Sequence, residues 1–229
     1  MSSREIDAVL FDLDDTICEY CRTGEELLEA AFAAAEVDPL FTAEEYYARY
    51  DAYLDDSTEI ADLREACFRD LATDAGTDPA LGTRVADAYE AARDYRNVRF
   101  LPGAKAALST LADEYRLGMV TNGSPSMQRK KLDALGIEAV FDAIVFAGYD
   151  APRKPDPAPF RLVLDRLDAT PDRAVHVGNS LDTDVAGARA AGIASVWIPI
   201  TEETDGHVRP DFELDSLADL APALRETDR

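Results

Sequence analysis

The distance between the first strand and the second constrains this chain more than any other feature. Ala8–Phe11 is a short apolar run ending in Asp12-Leu13-Asp14-Asp15-Thr16. A run of that kind suits a central strand buried on both faces. The next such strand, 117–121, begins roughly 100 residues later, whereas a right-handed β-α-β crossover takes about 30. Four helical patterns fill the gap, at 25–37, 43–54, 60–72 and 81–95. Breaks fall at Asp38-Pro39, Asp55-Asp56-Ser57 and 76–79. The excess is read as an all-helical insert of roughly 80 residues. It departs from the strand end beyond which ligands bind in such sheets, so it is expected to act as a cap.

Beyond Leu101-Pro102-Gly103 the rhythm changes. Helical patterns at 104–114, 126–135, 159–167 and 183–191 alternate with strands at 117–121, Ala143–Phe146, Ala174–Gly178 and 194–198, and a last helix is expected over 216–224. Such alternation indicates an α/β fold with a doubly wound parallel sheet, Rossmann-like, covered on both faces. The expected division is a core of 1–18 and 98–229 with a helical cap of 19–97. The 229 residues accommodate that pair of units.

Charge excludes several partners. Forty-six acidic residues oppose 23 basic ones, for a net charge of −23. This surface repels nucleic acid and anionic membranes. No stretch approaches the roughly 20 apolar residues that cross a bilayer, and the N-terminus meets charge too soon for a signal peptide. A cytoplasmic protein is therefore expected. Dense surface carboxylates suit concentrated salt, where screening removes most self-repulsion, and a halophilic source is the corresponding hypothesis. Equal unfolding stability at low and molar KCl would rule it out. Cys18 and Cys21 form a C-x-x-C pair, but His176 and His207 stand too far away in the chain to complete a zinc set, so reduced thiols are expected. Tyr46, Tyr47, Tyr50 and Tyr53 recur at helical spacing and read as packing, as does Trp197 in its apolar strand. His176 reads as structural.

The polar residues at the strand ends carry the chemistry. They are Asp12 and Asp14, Thr121 and Asn122, and Asn179 with Asp184, while Lys154 sits in a loop between two units. Paired carboxylates with a further carboxylate and an amide make a set of hard oxygen ligands suited to Mg²⁺. A carboxylate can attack phosphorus and form an aspartyl-phosphate, dividing one difficult step into two. An acid/base two positions on can protonate the leaving alkoxide and later activate water. Thr121, neighbouring amides and Lys154 would hold the phosphoryl oxygens.

FDLDDT at 11–16, VTNG at 120–123, RKPDP at 153–157 and VGNSLDTDVAGARAAG at 177–192 resemble the four motifs of haloacid dehalogenase-like hydrolases. LPGAKAAL at 101–108 is similar to the segment where that family's cap returns to the core. The resemblance implies a phosphatase acting on a small phosphorylated metabolite, with Asp12 as nucleophile and Asp14 as acid/base. It also implies Thr121, Asn122 and Lys154 at the phosphoryl group, and Mg²⁺ held by Asp12, the Asp14 carbonyl, Asn179 and Asp184. The family usually has Asp where this chain has Asn179, which removes a charge and is expected to weaken metal binding; Asp182 is a neighbour of less fitting spacing. The resemblance also leaves open a phosphomutase, or a 2-haloacid dehalogenase, although dehalogenases generally lack an acid at the Asp14 position. A phospho-accepting or silent binding module is the alternative from another class, the second suggested only by Asn179.

Overall fold

Strand β1 (Ala8–Phe11) is wholly buried, and the reason is its place in the sheet. The computed structural model describes residues 6–53, 60–200 and 208–227. Among them six parallel strands run in the order β5-β4-β1-β6-β7-β8, where β4 is Arg116–Thr121, β5 Ala143–Phe146, β6 Ala174–Gly178, β7 Ala194–Trp197 and β8 Phe212–Glu213. β1 pairs with β4 on one side and β6 on the other. Its side chains alternate between the two faces. Val9 and Phe11 join one apolar cluster, with Leu108, Leu117, Met119 and Val177. Ala8 and Leu10 join another, with Val120, Phe160 and Val163. The α/β doubly wound architecture expected from the alternation is thus present, and β1 lies where the strand order reverses. Ligands bind beyond the carboxyl ends of the strands at such a point.

The chain divides into two compact units, one made of residues up to Tyr20 and from Tyr95 onward, the other of Cys21–Asp94. An antiparallel ribbon the periodicity does not reveal, β2 (Cys18–Tyr20) with β3 (Val98–Phe100), pairs the two passes of the chain beside this boundary. Three-residue strands are too short for an alternation to show. β8 is shorter still and was missed for the same reason.

The core unit carries α5 (Ala104–Ala112), α6 (Pro125–Leu135), α7 (Ala158–Leu167), α8 (Ala186–Ala191) and α9 (Leu220–Thr227), and the helical unit α1 (Gly24–Ala35), α2 (Ala43–Tyr53), α3 (Ile60–Asp74) and α4 (Pro79–Ala92). Their starts are chemically marked. The Thr23 hydroxyl accepts from the Glu26 amide at 3.2 Å while the Glu26 carboxylate accepts from the Thr23 amide at 2.9 Å, a capping box. Asp78 caps α4 ahead of Pro79, so that helix starts two residues before the apolar stripe suggests. Phe68 is fully buried at the centre of an edge-to-face aromatic cluster with Phe41, Tyr46 and Tyr89. Burying such a ring contributes about 2–3 kcal/mol. The tyrosine stripe divides: Tyr46 is core, Tyr50 packs against it, and Tyr47 is exposed. The side chain of Tyr53, the break at Asp55-Asp56-Ser57 and His207 lie outside the described residues. The three thiols are free. No described helix is long and apolar enough to cross a membrane.

Candidate active site

Asp12 is the first residue beyond β1, and its amide donates to Val177 O at 2.9 Å, so the sheet itself fixes its backbone. The buried Lys154 ammonium donates to Asp12 Oδ1 at 2.6 Å, Asp184 Oδ1 at 2.7 Å and Val120 O at 2.9 Å. Three N–H donors meet three acceptors, as a buried ammonium requires. The loop carrying Lys154 is braced by Asn122. Its Oδ1 accepts from the Lys154 amide at 2.8 Å, and its Nδ2 donates to Lys154 O at 3.1 Å. The Asn122 side chain thereby positions the lysine, using one of its two amide hydrogens.

Asp184 lies across the end of β6. A Cβ at Gly178 would stand 2.3 Å from the Asp184 carboxyl carbon, so glycine is needed for that approach. Asp184 is delivered by a π-helical turn, Leu181–Val185, rather than by the start of the following helix; α8 proper is Ala186–Ala191. Its Oδ2 accepts from the Ser180 amide at 3.1 Å, and Oδ1 is 3.0 Å from His176 Nε2. Asp182 is exposed, which leaves Asp184 as the inward acid. Burial drives His176 toward its neutral form; its Nδ1 has no partner among the described residues. The histidine expected to be structural is therefore a support of Asp184.

The two buried carboxylates differ in their surroundings. Burial pushes Asp12 up to about 7, and the pull of Lys154 only partly offsets it. Burial pushes on Asp184 too, but Lys154 and His176 together hold it well below the ordinary carboxylate range. Asp12 is the acid the protein leaves short of positive charge.

Asn179 follows β6. The Thr16 hydroxyl is 3.2 Å from Asn179 Oδ1 and 3.5 Å from Asp12 Oδ2. Trp197 Nε1 donates to Asn179 O at 2.7 Å, so the tryptophan also anchors the site. Asp14 is set apart from this group. Its Oδ1 accepts from Lys131 Nζ at 2.5 Å, and its Oδ2 from Gln128 Nε2 at 2.7 Å, which also reaches Thr121 Oγ1 at 2.7 Å. Gln128 and Lys131 belong to α6 (Pro125–Leu135) and went unrecognised in the sequence. A signal was available: 128, 131, 132 and 135 form one helical stripe, on which Leu132 is core and two polar residues stand at apolar positions.

No group of three or more His, Cys, Asp or Glu among the described residues is arranged to hold a metal. The oxygens gathered about Asp12 are instead its own carboxylate, that of Asp184, which shares the Lys154 ammonium, and the Asn179 amide oxygen, reached through the Thr16 hydroxyl. All are hard oxygens, which fits Mg²⁺, and the raised Asp12 shows where added positive charge would be favourable.

A sequence profile of haloacid dehalogenase-like hydrolases matches residues 6–192. Glyceraldehyde 3-phosphate phosphatase of Methanopyrus kandleri is 32% identical, the match covering 96% of this chain and 98% of that protein. Among solved structures, a 2-haloacid dehalogenase from Pseudomonas syringae pv. Tomato is 28% identical with a TM-score of 0.66, covering 96% and 99% of the two chains. A Bacillus subtilis hydrolase solved bound to magnesium superposes with a TM-score of 0.78 at 23% identity, over 96% and 99%.

Proposed function

Because the chain belongs to the haloacid dehalogenase-like hydrolases, we propose that it is a Mg²⁺-dependent phosphatase that hydrolyses a small phosphorylated metabolite through an aspartyl-phosphate on Asp12. The observation that carries this reading is the division of labour between two carboxylates two positions apart. Asp12 is buried on Lys154. Asp14 stays partly open, its side chain 39% exposed, and is gripped by separate donors. A dehalogenase displacing halide from carbon has no leaving alkoxide to protonate, so an acid at Asp14 favours phosphate chemistry. Likeness to a named phosphatase over nearly full length supports the same choice.

In the first step an Asp12 oxygen attacks phosphorus. The ester P–O bond breaks with its electron pair remaining on the departing oxygen, and Asp14 transfers a proton to that oxygen. In the second step Asp14 takes a proton from water as the water oxygen attacks phosphorus. Phosphate leaves and the Asp12 carboxylate is restored. The charge of Lys154 neutralises the phosphoryl oxygens and the Thr121 hydroxyl orients them. Asp12, the Asp14 carbonyl, Asn179 and Asp184 would hold Mg²⁺, which when bound supplies positive charge beside the reacting phosphate.

Turnover of p-nitrophenyl phosphate tests the reading. Activity is expected with Mg²⁺ and not in EDTA, and Asp12→Asn should lower the rate by at least ~10³-fold. Asn179→Asp should reduce the Mg²⁺ concentration giving half-maximal rate. Metal-independent halide release from a 2-haloacid, with no phosphate ester turned over, would refute it.

A further inference from the structure

Resting on the reading of Asp14 as the acid/base, we propose that Gln128 and Lys131 are positioning residues that hold Asp14 in fixed relation to Thr121 for proton transfer. Both lie outside the four motifs. Gln128 is completely buried and Lys131 nearly so. Between them they donate to both Asp14 oxygens, and the Lys131 ammonium also sits 4.6 Å from the Tyr20 ring centre. An ionised carboxylate only accepts, so the Gln128 amide must turn its NH₂ toward Asp14. The second hydrogen of that NH₂ then goes to Thr121 Oγ1 at 2.7 Å. Thr121 is thereby made an acceptor at this contact, and its own hydroxyl proton is left to donate to a phosphoryl oxygen. One amide thus couples the acid/base to the phosphate-binding hydroxyl.

Two observations indicate that the amide is kept for its donors rather than for filling space. Gln128 Oε1 is buried without a partner among the described residues, a cost that leucine or methionine at this helical position would not incur. The neighbouring chain also makes room for it: a Cβ at Gly123 would stand 2.3 Å from Gln128 Nε2. Asp14 keeps lone pairs beyond those its two donors use. It can therefore carry the transferred proton without leaving them, and this clamp keeps it in place through both steps.

A series of aryl phosphates, from p-nitrophenyl to p-methylphenyl, tests the proposal. These esters share a shape but differ in how much their leaving oxygen needs a proton. Gln128→Met and Lys131→Met are expected to lose ~10-fold in kcat on the nitrophenyl ester and ~100-fold on the methylphenyl ester, with KM little changed. Lys131→Arg should recover part of the loss. Gly123→Ala, which displaces the amide without altering either clamp residue, should steepen the leaving-group dependence in the same way, and thermal melts of all variants confirm folding. A uniform loss across the series in these variants, beside a steep one in Asp14→Asn, would overturn the clamp alone. No steepening in Asp14→Asn would overturn the acid/base reading beneath it.

Discussion

The two units bury different kinds of side chain. Among the described residues the core unit buries Asp12, Thr121, Gln128, Lys131, Lys154, His176 and Asp184 near its strand ends, whereas Arg64 is the buried charged or polar residue of the helical unit. Arg64 is held there: its Nε donates to the Tyr46 hydroxyl at 3.2 Å, its NH1 pairs with Glu90, and its guanidinium lies 5.1 Å from the Tyr89 ring centre. That is a polar group absorbed into an aromatic core. In the core unit one ammonium is shared by two buried carboxylates, and one of them, Asp12, stays short of charge. Buried charge is costly unless paired. The contrast teaches that the core unit leaves pairing incomplete where the proposed chemistry lies, and that the helical unit holds together by packing.

The largest effect is expected where pairing is removed. Lys154→Met leaves Asp12 and Asp184 buried without their shared cation. In EDTA it should lose about 3–5 kcal/mol of unfolding free energy by urea titration, and phosphatase turnover should fall by at least ~10³-fold. Phe68→Ala is the matching test of the helical unit. A loss of about 3–4 kcal/mol is expected from the cavity, with turnover below the melting temperature changed by less than ~10-fold. A turnover loss equal to that of Lys154→Met would break the comparison.

A pH experiment sharpens it further. Asp12 sits at about 7 in the folded chain against an ordinary 3.8, raised by burial. Between those values the folded state binds the extra proton, so this contribution to stability is present below the lower value and is lost as pH rises through the upper one. Metal-free protein should therefore lose about 2–3 kcal/mol between pH 5 and pH 8 relative to Asp12→Asn. Parallel stability curves for the two proteins would show that Asp12 carries no such penalty.

Much of this arrangement was legible in the chain. The all-apolar β1, the alternation after residue 101 and the long helical stretch between them point to the fold because strand and helix periods are local properties. Asp12, Thr121, Lys154 and Asp184 were legible because each closes a strand or follows one in a motif. Asn122 is marked in the sequence only by its place after β4, and its bracing of Lys154 is not. Gln128, Lys131 and Thr16 act through partners distant in sequence: 114 residues separate Gln128 from Asp14, and 163 separate Thr16 from Asn179.

The amino-acid order alone determined which residues stand at strand ends and which stretches coil into helices, since backbone preference and apolar spacing act over a few neighbours. Only the tertiary structure decided that Asp12 and Asp184 share the Lys154 ammonium while Asp184 alone also meets His176, and that Asp14 is held from α6. Desolvation and hydrogen-bond geometry depend on which groups meet in space, and no local pattern encodes that meeting.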